Sequence, residues 1–390
     1  MTSESNIDYE NIVYQVAVPS PLRRLFDYRP RCIKQAIEPG SRVVVPFGAR
    51  TVVGFVMSKT FESTIPLSKL KLIIEILDEE PILSHEILSI LKWSSDYYHH
   101  PIGQVLSTAV PKKIRGHSHV KPKIKTWKSL ENISKSQSAL VKNAPKQRAL
   151  LKLLQKKYLT KFEIKQAGFS SSLVKELEAK ELIAETTLLD PSDKPFKPIP
   201  RENPRSMVLS DEQNLAIVSI RKKEDDFQCF LLQGVTGSGK TEVYMQAMQS
   251  HLAKGRQCLV LVPEIGLTPQ TLSRFTERFE CPIRTLHSGL SDSERLNSWN
   301  MAREGQAGIL IGTRSSVFTP FYNLGLIIID EEHDASLKQQ EKFKYHARDL
   351  SIMRAKNLNI PIVIGSATPS FESLHNVSLE KFKKYNLTKR

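Results

Sequence analysis

Residues 234–241 read Gly234-Val235-Thr236-Gly237-Ser238-Gly239-Lys240-Thr241, the spacing G-x-x-x-x-G-K-[ST]. Glycines at these positions let backbone N–H groups approach phosphate oxygens. Lys240 supplies a cation for the β- and γ-phosphates of ATP, and the Thr241 hydroxyl suits Mg²⁺. Further along, Asp330-Glu331-Glu332-His333 follows the apolar stretch Leu326 to Ile329. Asp330 suits Mg²⁺ through the metal's water shell, and Glu331 suits the orientation or deprotonation of an attacking water. Lys240, Asp330 and Glu331 are therefore the candidate catalytic residues. Each string has a plainer reading, a chance glycine-rich turn and a solvated acid pair. A strand before the first string and a helix after it, and four apolar residues before the second, argue against both.

Three more loops follow strand ends: Pro263 to Gln270 after Val260–Val262, Gly312 to Ser316 after Ile309–Ile311, and Gly365 to Pro369 after Ile362–Ile364. Each offers backbone N–H groups and hydroxyls that can hold a phosphodiester backbone without reading bases. Alone, each is an ordinary strand-to-helix turn; together with the first two strings they form a series.

The elements that position these loops follow from hydrophobic pattern. Strands are predicted over 228–233, 257–262, 308–312, 325–330 and 360–365, several as near-continuous apolar runs of the kind buried in a parallel sheet. Helical stretches alternate with them, giving an α/β P-loop domain over 207–390. Pro191 to Pro204 holds five prolines and reads as a linker, 191–206. Before it, 145–190 reads as three helices (147–156, 160–167 and 171–180) and a strand at 182–186, a winged-helix-like unit. Such units also serve protein contacts, and no base-reading side chain is evident. Residues 111–144 read as a basic linker: 112–128 carries Lys112, Lys113, Arg115, Lys121, Lys123, Lys125 and Lys128 and no acid. It suits either a plain connector or contact with phosphates. Residues 1–110 read as a small β-rich domain, with strands at 12–18, 41–47 and 51–58 and a closing helix over 85–98.

Composition sets outer bounds. The chain has 390 residues, a net charge of +15 and a sequence pI of about 9.5. Such an excess suits a polyanion, most simply nucleic acid. Cys32, Cys229, Cys258 and Cys281 form no Cys-x-x-Cys pair, so no zinc site is legible, and scattered cysteines suit a reducing cytoplasm. The N-terminus lacks a signal-peptide profile, and the longest apolar run, Leu324 to Ile329, is too short to span a bilayer. The expectation is a cytoplasmic protein without a membrane partner.

The series GVTGSGKT, LVPEIGLTPQ, GTRSSVFTPF, DEEH and GSATPS resembles superfamily 2 DNA helicases. Longer strings are more specific. Leu286 to Arg295, Tyr345-His346-Ala347-Arg348-Asp349, the N-terminal Pro-Leu-Arg-Arg-Leu-Phe-Asp-Tyr and Val-Pro-Phe-Gly, and Trp93 to Gly103 resemble the primosomal protein N′ family of bacterial replication-restart helicases. The likeness runs from about residue 12 to the C-terminus, weakest in the linker and winged-helix regions.

That resemblance implies an ATP-dependent 3′-to-5′ helicase with a RecA-like lobe, acting with forked and single-stranded DNA, other primosome proteins and single-stranded-DNA-binding protein. It implies that residues 1–110 hold the 3′ end of a DNA strand, through positions matching Phe26, Asp27, Gly48 and Lys71. A carboxylate can accept from the terminal hydroxyl, an aromatic can support the base and a lysine can meet phosphate; core packing is the competing reading for Phe26. It further implies an aromatic-rich loop over 334–349, where Phe343 and Tyr345 among lysines would stack on bases, a DNA contact at Arg314 in the GTR string, and Gln213 as a reader of adenine. The family also carries a second lobe, an arginine finger and a zinc-binding cysteine cluster; the sequence ends 22 residues after Thr368 and contains none of them. The 390 residues alone are accordingly expected to hydrolyse ATP weakly and not to unwind DNA. The alternative function is a fork-DNA-binding module without motor activity.

Overall fold

The structure is a computed structural model describing residues 12–31, 36–117, 124–130, 144–156, 159–160, 164, 167–188, 195–199, 209–266 and 268–388. The chain divides into two compact units, one of residues 1–120 with 194–390 and the other of 121–193.

The β-branched N-terminal stretches form a six-stranded sheet. Its strands are β1 (Val13–Ala17), β2 (Phe26–Arg29), β3 (Arg42–Phe47), β4 (Arg50–Thr60), β5 (Lys71–Leu72) and β6 (Glu75–Ile76), in the order β5-β2-β1-β4-β3-β6. Tyr14, Val16, Val43, Val45 and Val56 fill its core. Two helices follow, α1 (His85–Tyr97) and α2 (Ile102–Ala109). Ser84 caps α1 by accepting from the Ile87 N–H at 3.3 Å. The apolar stripe of α1, with Ile87 and Leu91, is buried together with Val317, Phe318 and Leu350 of the later α/β segment, in one core. The β-rich segment thus packs on its neighbour within a single unit.

The smaller unit holds β7 (Ile124–Ser129), α3 (Pro145–Lys156), β8 (Leu159–Thr160), α4 (Ser171–Ala179) and β9 (Ile183–Leu188), with sheet order β8-β7-β9. Part of the basic stretch read as a connector is therefore a strand: β7 pairs antiparallel with β9 along its whole length. The strand reads Ile124-Lys125-Thr126-Trp127-Lys128-Ser129, with Trp127 and Ser129 buried, so two lysines in six residues hid it in the basic stretch. Most of the helix expected over 160–167 lies outside the described residues.

In the larger unit α5 (Asp211–Arg221), β10 (Cys229–Gly234), α6 (Lys240–Ala253), β11 (Gln257–Leu261), α7 (Pro269–Arg278), β12 (Ile283–Leu286), α8 (Asp292–Arg303), β13 (Ile309–Gly312) and β14 (Leu324–Ile329) succeed one another. A small hairpin, β15 (Lys338–Gln339) and β16 (Tyr345–His346), leads to α9 (Ala347–Leu358), β17 (Ile362–Ser366), α10 (Phe371–Ser378) and β18 (Phe382–Leu387). Seven strands form one parallel sheet, ordered β12-β13-β11-β14-β17-β10-β18. Alternate residues serve opposite faces: Leu231, Leu259, Ile327 and Ile364 enter one core, and Phe230, Val260, Ile328 and Val363 the other. The five strands read from sequence are all present; β12 and β18, which the sequence reading missed, are the two edges. Edge strands need apolar residues on fewer sides, so Phe382-Lys383-Lys384-Tyr385-Asn386-Leu387 carries no continuous apolar run.

The proline-rich segment is not a free connector over its described part. Phe196 and Ile199 are buried against the second of those cores, and the Phe196 N–H donates to the Gly305 carbonyl at 2.8 Å. Two apolar side chains between prolines supplied enough surface to bury it.

Candidate functional site

The phosphate loop joins β10 to α6 at the carboxyl edge of the sheet, where open α/β folds bind ligands. Gly237 and Gly239 have φ of 86° and 84°, a backbone that side chains rarely adopt. A Cβ at Gly239 would also overlap the Gln213 amide. The Lys240 ammonium is almost buried; it donates to the Gly234 carbonyl at 2.7 Å and lies 3.6 Å from Glu331 Oε1. Val235, Thr236 and Thr241 complete the loop, and the buried Ser238 hydroxyl has no hydrogen-bond partner among the described residues. An orphaned hydroxyl, a glycine cradle and an inward lysine at a helix N-terminus fit a polyphosphate.

Gln213 reaches this loop from α5. Its Oε1 accepts from the Ser210 N–H at 2.9 Å, and its Nε2 donates to the Ser238 carbonyl at 3.2 Å. The side chain both caps its own helix and holds the loop.

β14 delivers Asp330 and Glu331 to the same edge. Asp330 accepts from the Tyr244 hydroxyl at 2.9 Å. Burial raises the pKa of Asp330, against the Tyr244 hydrogen bond and Lys240, which lower it. Glu331 holds a left-handed φ of 47°, a strained conformation for a non-glycine residue at the strand's end. Tyr244 comes from α6, and a Cβ at Gly365 would overlap its hydroxyl, so the small residue at 365 makes room for the bond. The sequence reading missed Tyr244; its spacing of one helical turn from Lys240 was the available signal.

Asp330, and Thr241 in the first turn of α6, carry oxygens of the kind that suit Mg²⁺. Among the described residues no group of three or more His, Cys, Asp or Glu side chains could hold a metal ion, so such an ion would draw its remaining ligands from phosphate and water.

The remaining acid of the string, Glu332, faces inward at 1% exposure. It accepts from Arg348 Nη1 at 3.1 Å, the Ser370 N–H at 2.7 Å and the Ser373 hydroxyl at 3.2 Å. His333 Nδ1 lies 2.7 Å from the Ser366 hydroxyl, and the Glu332 N–H donates to the Gly365 carbonyl at 3.0 Å. The acid string and the Gly365–Pro369 loop are thus one hydrogen-bonded assembly.

Phe343 and Tyr345 depart from expectation. Their rings are 0% and 2% exposed and stack on each other at 5.0 Å. Tyr98 and His100 of the β-rich segment pack on Phe343 at 5.9 and 5.1 Å, and Phe318 packs on Tyr345 at 5.2 Å. Neither ring presents a face to a base. Lys338, Lys342 and Lys344 are exposed, so the lysines face outward and the rings fill the core. Arg314 is tied to the same segment, donating to Gln339 Oε1 at 2.6 Å and the Ser336 carbonyl at 3.0 Å.

Phe26, Asp27, Gly48 and Lys71 line one cavity of about 870 Å³ on the β-rich sheet. Parallel pairing of β2 with β5 sets Tyr28 opposite Lys71, which brings Asp27 and Lys71 to neighbouring positions. Asp27 Oδ2 accepts from the Ser63 hydroxyl at 2.6 Å. Phe26 is half-buried, edge-on to Phe47 at 5.0 Å, with the Arg24 guanidinium 4.9 Å from its ring centre. Gly48 has φ of 61°, and a Cβ there would meet nothing. These four lie apart from Phe343 and Tyr345, which belong to the core beneath α1 and α2.

A family model of the 3′DNA-binding domain matches residues 15–111, and one of the DEAD/DEAH box helicase matches residues 210–377. The replication restart protein PriA of Haemophilus influenzae is 41% identical over 97% of this chain and 52% of its own length. That of Bacillus subtilis is 33% identical over 94% of the chain and 54% of its length. The chain spans about half the length of the curated relatives it matches. Among solved structures, RecG bound to a three-way DNA junction is 26% identical over 47% of this chain and 24% of that one, with a TM-score of 0.37.

Proposed function

From its likeness to the replication restart protein PriA relatives, which match 97% and 94% of the chain and 52% and 54% of their own length, we propose that it is the DNA-end-binding part and first motor lobe of an ATP-dependent 3′-to-5′ helicase of replication restart. The observation that carries this reading is the meeting of Lys240 with Glu331 at 3.6 Å, beside Asp330, on the carboxyl edge of one sheet.

In this reading Lys240 leaves the Gly234 carbonyl for the β- and γ-phosphates, and the loop N–H groups and Ser238 hold phosphate oxygens. Gln213 contacts adenine with the acceptor capacity its cap leaves free. Glu331 orients or deprotonates the attacking water, 3.6 Å from the lysine that faces the same phosphate. Thr241 and Asp330 would hold Mg²⁺, which when bound would supply charge neutralisation at the phosphates. Arg314, held by Gln339 and the Ser336 carbonyl of the segment after the acid string, would contact the DNA backbone.

At the other end, Asp27 accepts from the terminal 3′ hydroxyl, Phe26 supports the last base, Lys71 meets its phosphate and Gly48 lets the backbone approach. Forked and single-stranded DNA are the substrates, with other primosome proteins and single-stranded-DNA-binding protein as partners. Cytoplasmic action is supported by the free cysteines Cys229, Cys258 and Cys281.

The test is Lys240→Ala with a fluorescent ATP analogue. Loss of the only lysine of the loop should weaken binding by about tenfold or more. Equal affinity in both proteins would remove the site from this account.

A further inference from the structure

A second groove, of about 600 Å³, adjoins the Asp27 cavity and shares Gln15, Arg24 and Leu25 with it. It runs between β1, β4 and α1, within the same compact unit. Four cations line it, Arg23, Arg24, Lys59 and Lys92, all exposed, against the single carboxylate of Asp96. Among the described residues none of the four has an acidic partner within ion-pair distance. Arg23 instead lies 3.3 Å from His99 Nδ1, and Arg24 sits over Phe26. Unpaired cations set in a concave wall create a field that attracts a polyanion and has no structural use in the fold.

One helical step beyond Lys92 and Asp96, the adjacent face of α1 carries Trp93 and Tyr97. Their rings stack at 4.6 Å and 14°, and Tyr97 is 59% exposed. An exposed ring braced from behind is a platform on which a base of any sequence can stack.

We propose that this groove is a second DNA site, which holds the phosphodiester backbone of the strand whose 3′ end occupies the Asp27 cavity, with Tyr97 stacking on one of its upstream bases. The placement rests on the reading of the Asp27 cavity as the terminal site. A strand with its last nucleotide there must leave the cavity, and Arg24, which lines both cavities, offers a cationic way out into the groove. Arg24 then faces both sites and marks the point where the strand passes from one to the other. The groove reads no sequence, because its contacts are to charge and to ring faces.

The test uses the whole 390-residue chain and a twelve-nucleotide oligothymidylate with a 5′ fluorophore, ending in either a 3′ hydroxyl or a 3′ phosphate. Arg23→Ala/Lys92→Ala should bind about tenfold more weakly at moderate salt, and the slope of log affinity against log salt should fall by about 1.4, two phosphates at roughly 0.7 each. Its preference for the 3′ hydroxyl should remain. Arg23→Lys/Lys92→Arg, which keeps both charges, should restore the slope. Tyr97→Ala should lose about tenfold in affinity with the slope unchanged. Asp27→Ala should lose the preference for the hydroxyl and keep the full slope.

An unchanged affinity and slope in Arg23→Ala/Lys92→Ala, with the hydroxyl preference intact, would overturn the groove and leave the terminal site standing. A reduced slope in a protein that never distinguishes the two ends would support the groove as a phosphate site and overturn the terminal reading. If neither the slope nor the preference responds, both fail.

Discussion

Tyr244 is where the phosphate-loop helix meets the acid string. Its hydroxyl donates to Asp330 at 2.9 Å and fixes one carboxylate oxygen, which would leave the other for the water shell of the proposed Mg²⁺. A hydrogen bond to a charged group contributes about 1.5–3 kcal/mol. Tyr244→Phe should therefore raise the Mg²⁺ concentration needed for tight nucleotide binding about tenfold, while metal-free nucleotide binds as before. Titration of Mg²⁺ against a fluorescent nucleotide measures this, and an unmoved Mg²⁺ midpoint would refute the assignment. His251 makes a second prediction at this scale. It is fully buried in α6, neither ring nitrogen has a partner among the described residues, and burial lowers its pKa to about 4. Between an unfolded pKa of about 6.5 and the folded value, the unfolded chain binds the proton and the folded chain does not. Stability should accordingly fall as pH drops from about 6.5 towards 4, by on the order of 3 kcal/mol from this group. In His251→Leu, urea unfolding across that window should show a shallower decline; an identical pH slope would exclude His251 as its source.

Between elements, α9 and α1 are joined by a buried ion pair. Arg354, with a side chain 0% exposed, donates to both oxygens of Glu86 at 2.7 and 3.0 Å and to the Val317 carbonyl at 2.7 Å. Removing one partner leaves the other charge half-buried, which costs about 3 kcal/mol, whereas replacing both with apolar residues can be nearly neutral. Arg354→Ala should lower the midpoint of urea unfolding, and Arg354→Met/Glu86→Leu should recover most of the loss. A silent Arg354→Ala would mean that the shared core alone holds α1 against α9. The hairpin of β15 and β16 belongs to the same junction. Its alternation of outward lysines and inward aromatics places Phe343 against Tyr98 and His100, so the segment after the acid string carries the β-rich domain's helices on its back.

Over the whole molecule, the +15 charge sets the binding regime. Phosphate contacts release counterions, so a protein neutralising six or more phosphates loses about 10³-fold or more in affinity between 50 and 200 mM salt. Binding of a forked DNA should follow that steep dependence. Affinity constant across the same range would show that charge is not what holds the DNA.

Short strings of the sequence determined the chemistry and much of the fold. G-x-x-x-x-G-K-T between a strand and a helix, and an acid pair after four apolar residues, depend on local backbone and on hydrophobic period, which neighbours in sequence fix. The five central strands were legible for the same reason: burial on both faces demands unbroken apolar runs. Tertiary structure decided the rest. Phe343 and Tyr345 among lysines have the composition of a base-stacking loop, and only the arrival of Tyr98 and His100, some 240 residues earlier, turns them into core. β12 and β18 needed the finished sheet to pair with, since an edge strand's own residues need not be apolar. Tyr244, Glu332 and Arg348 acquire their roles from bonds to partners 16 to 86 residues away. Such contacts leave no periodic trace in the chain, because the partners are chosen by how layers stack and not by spacing along the backbone.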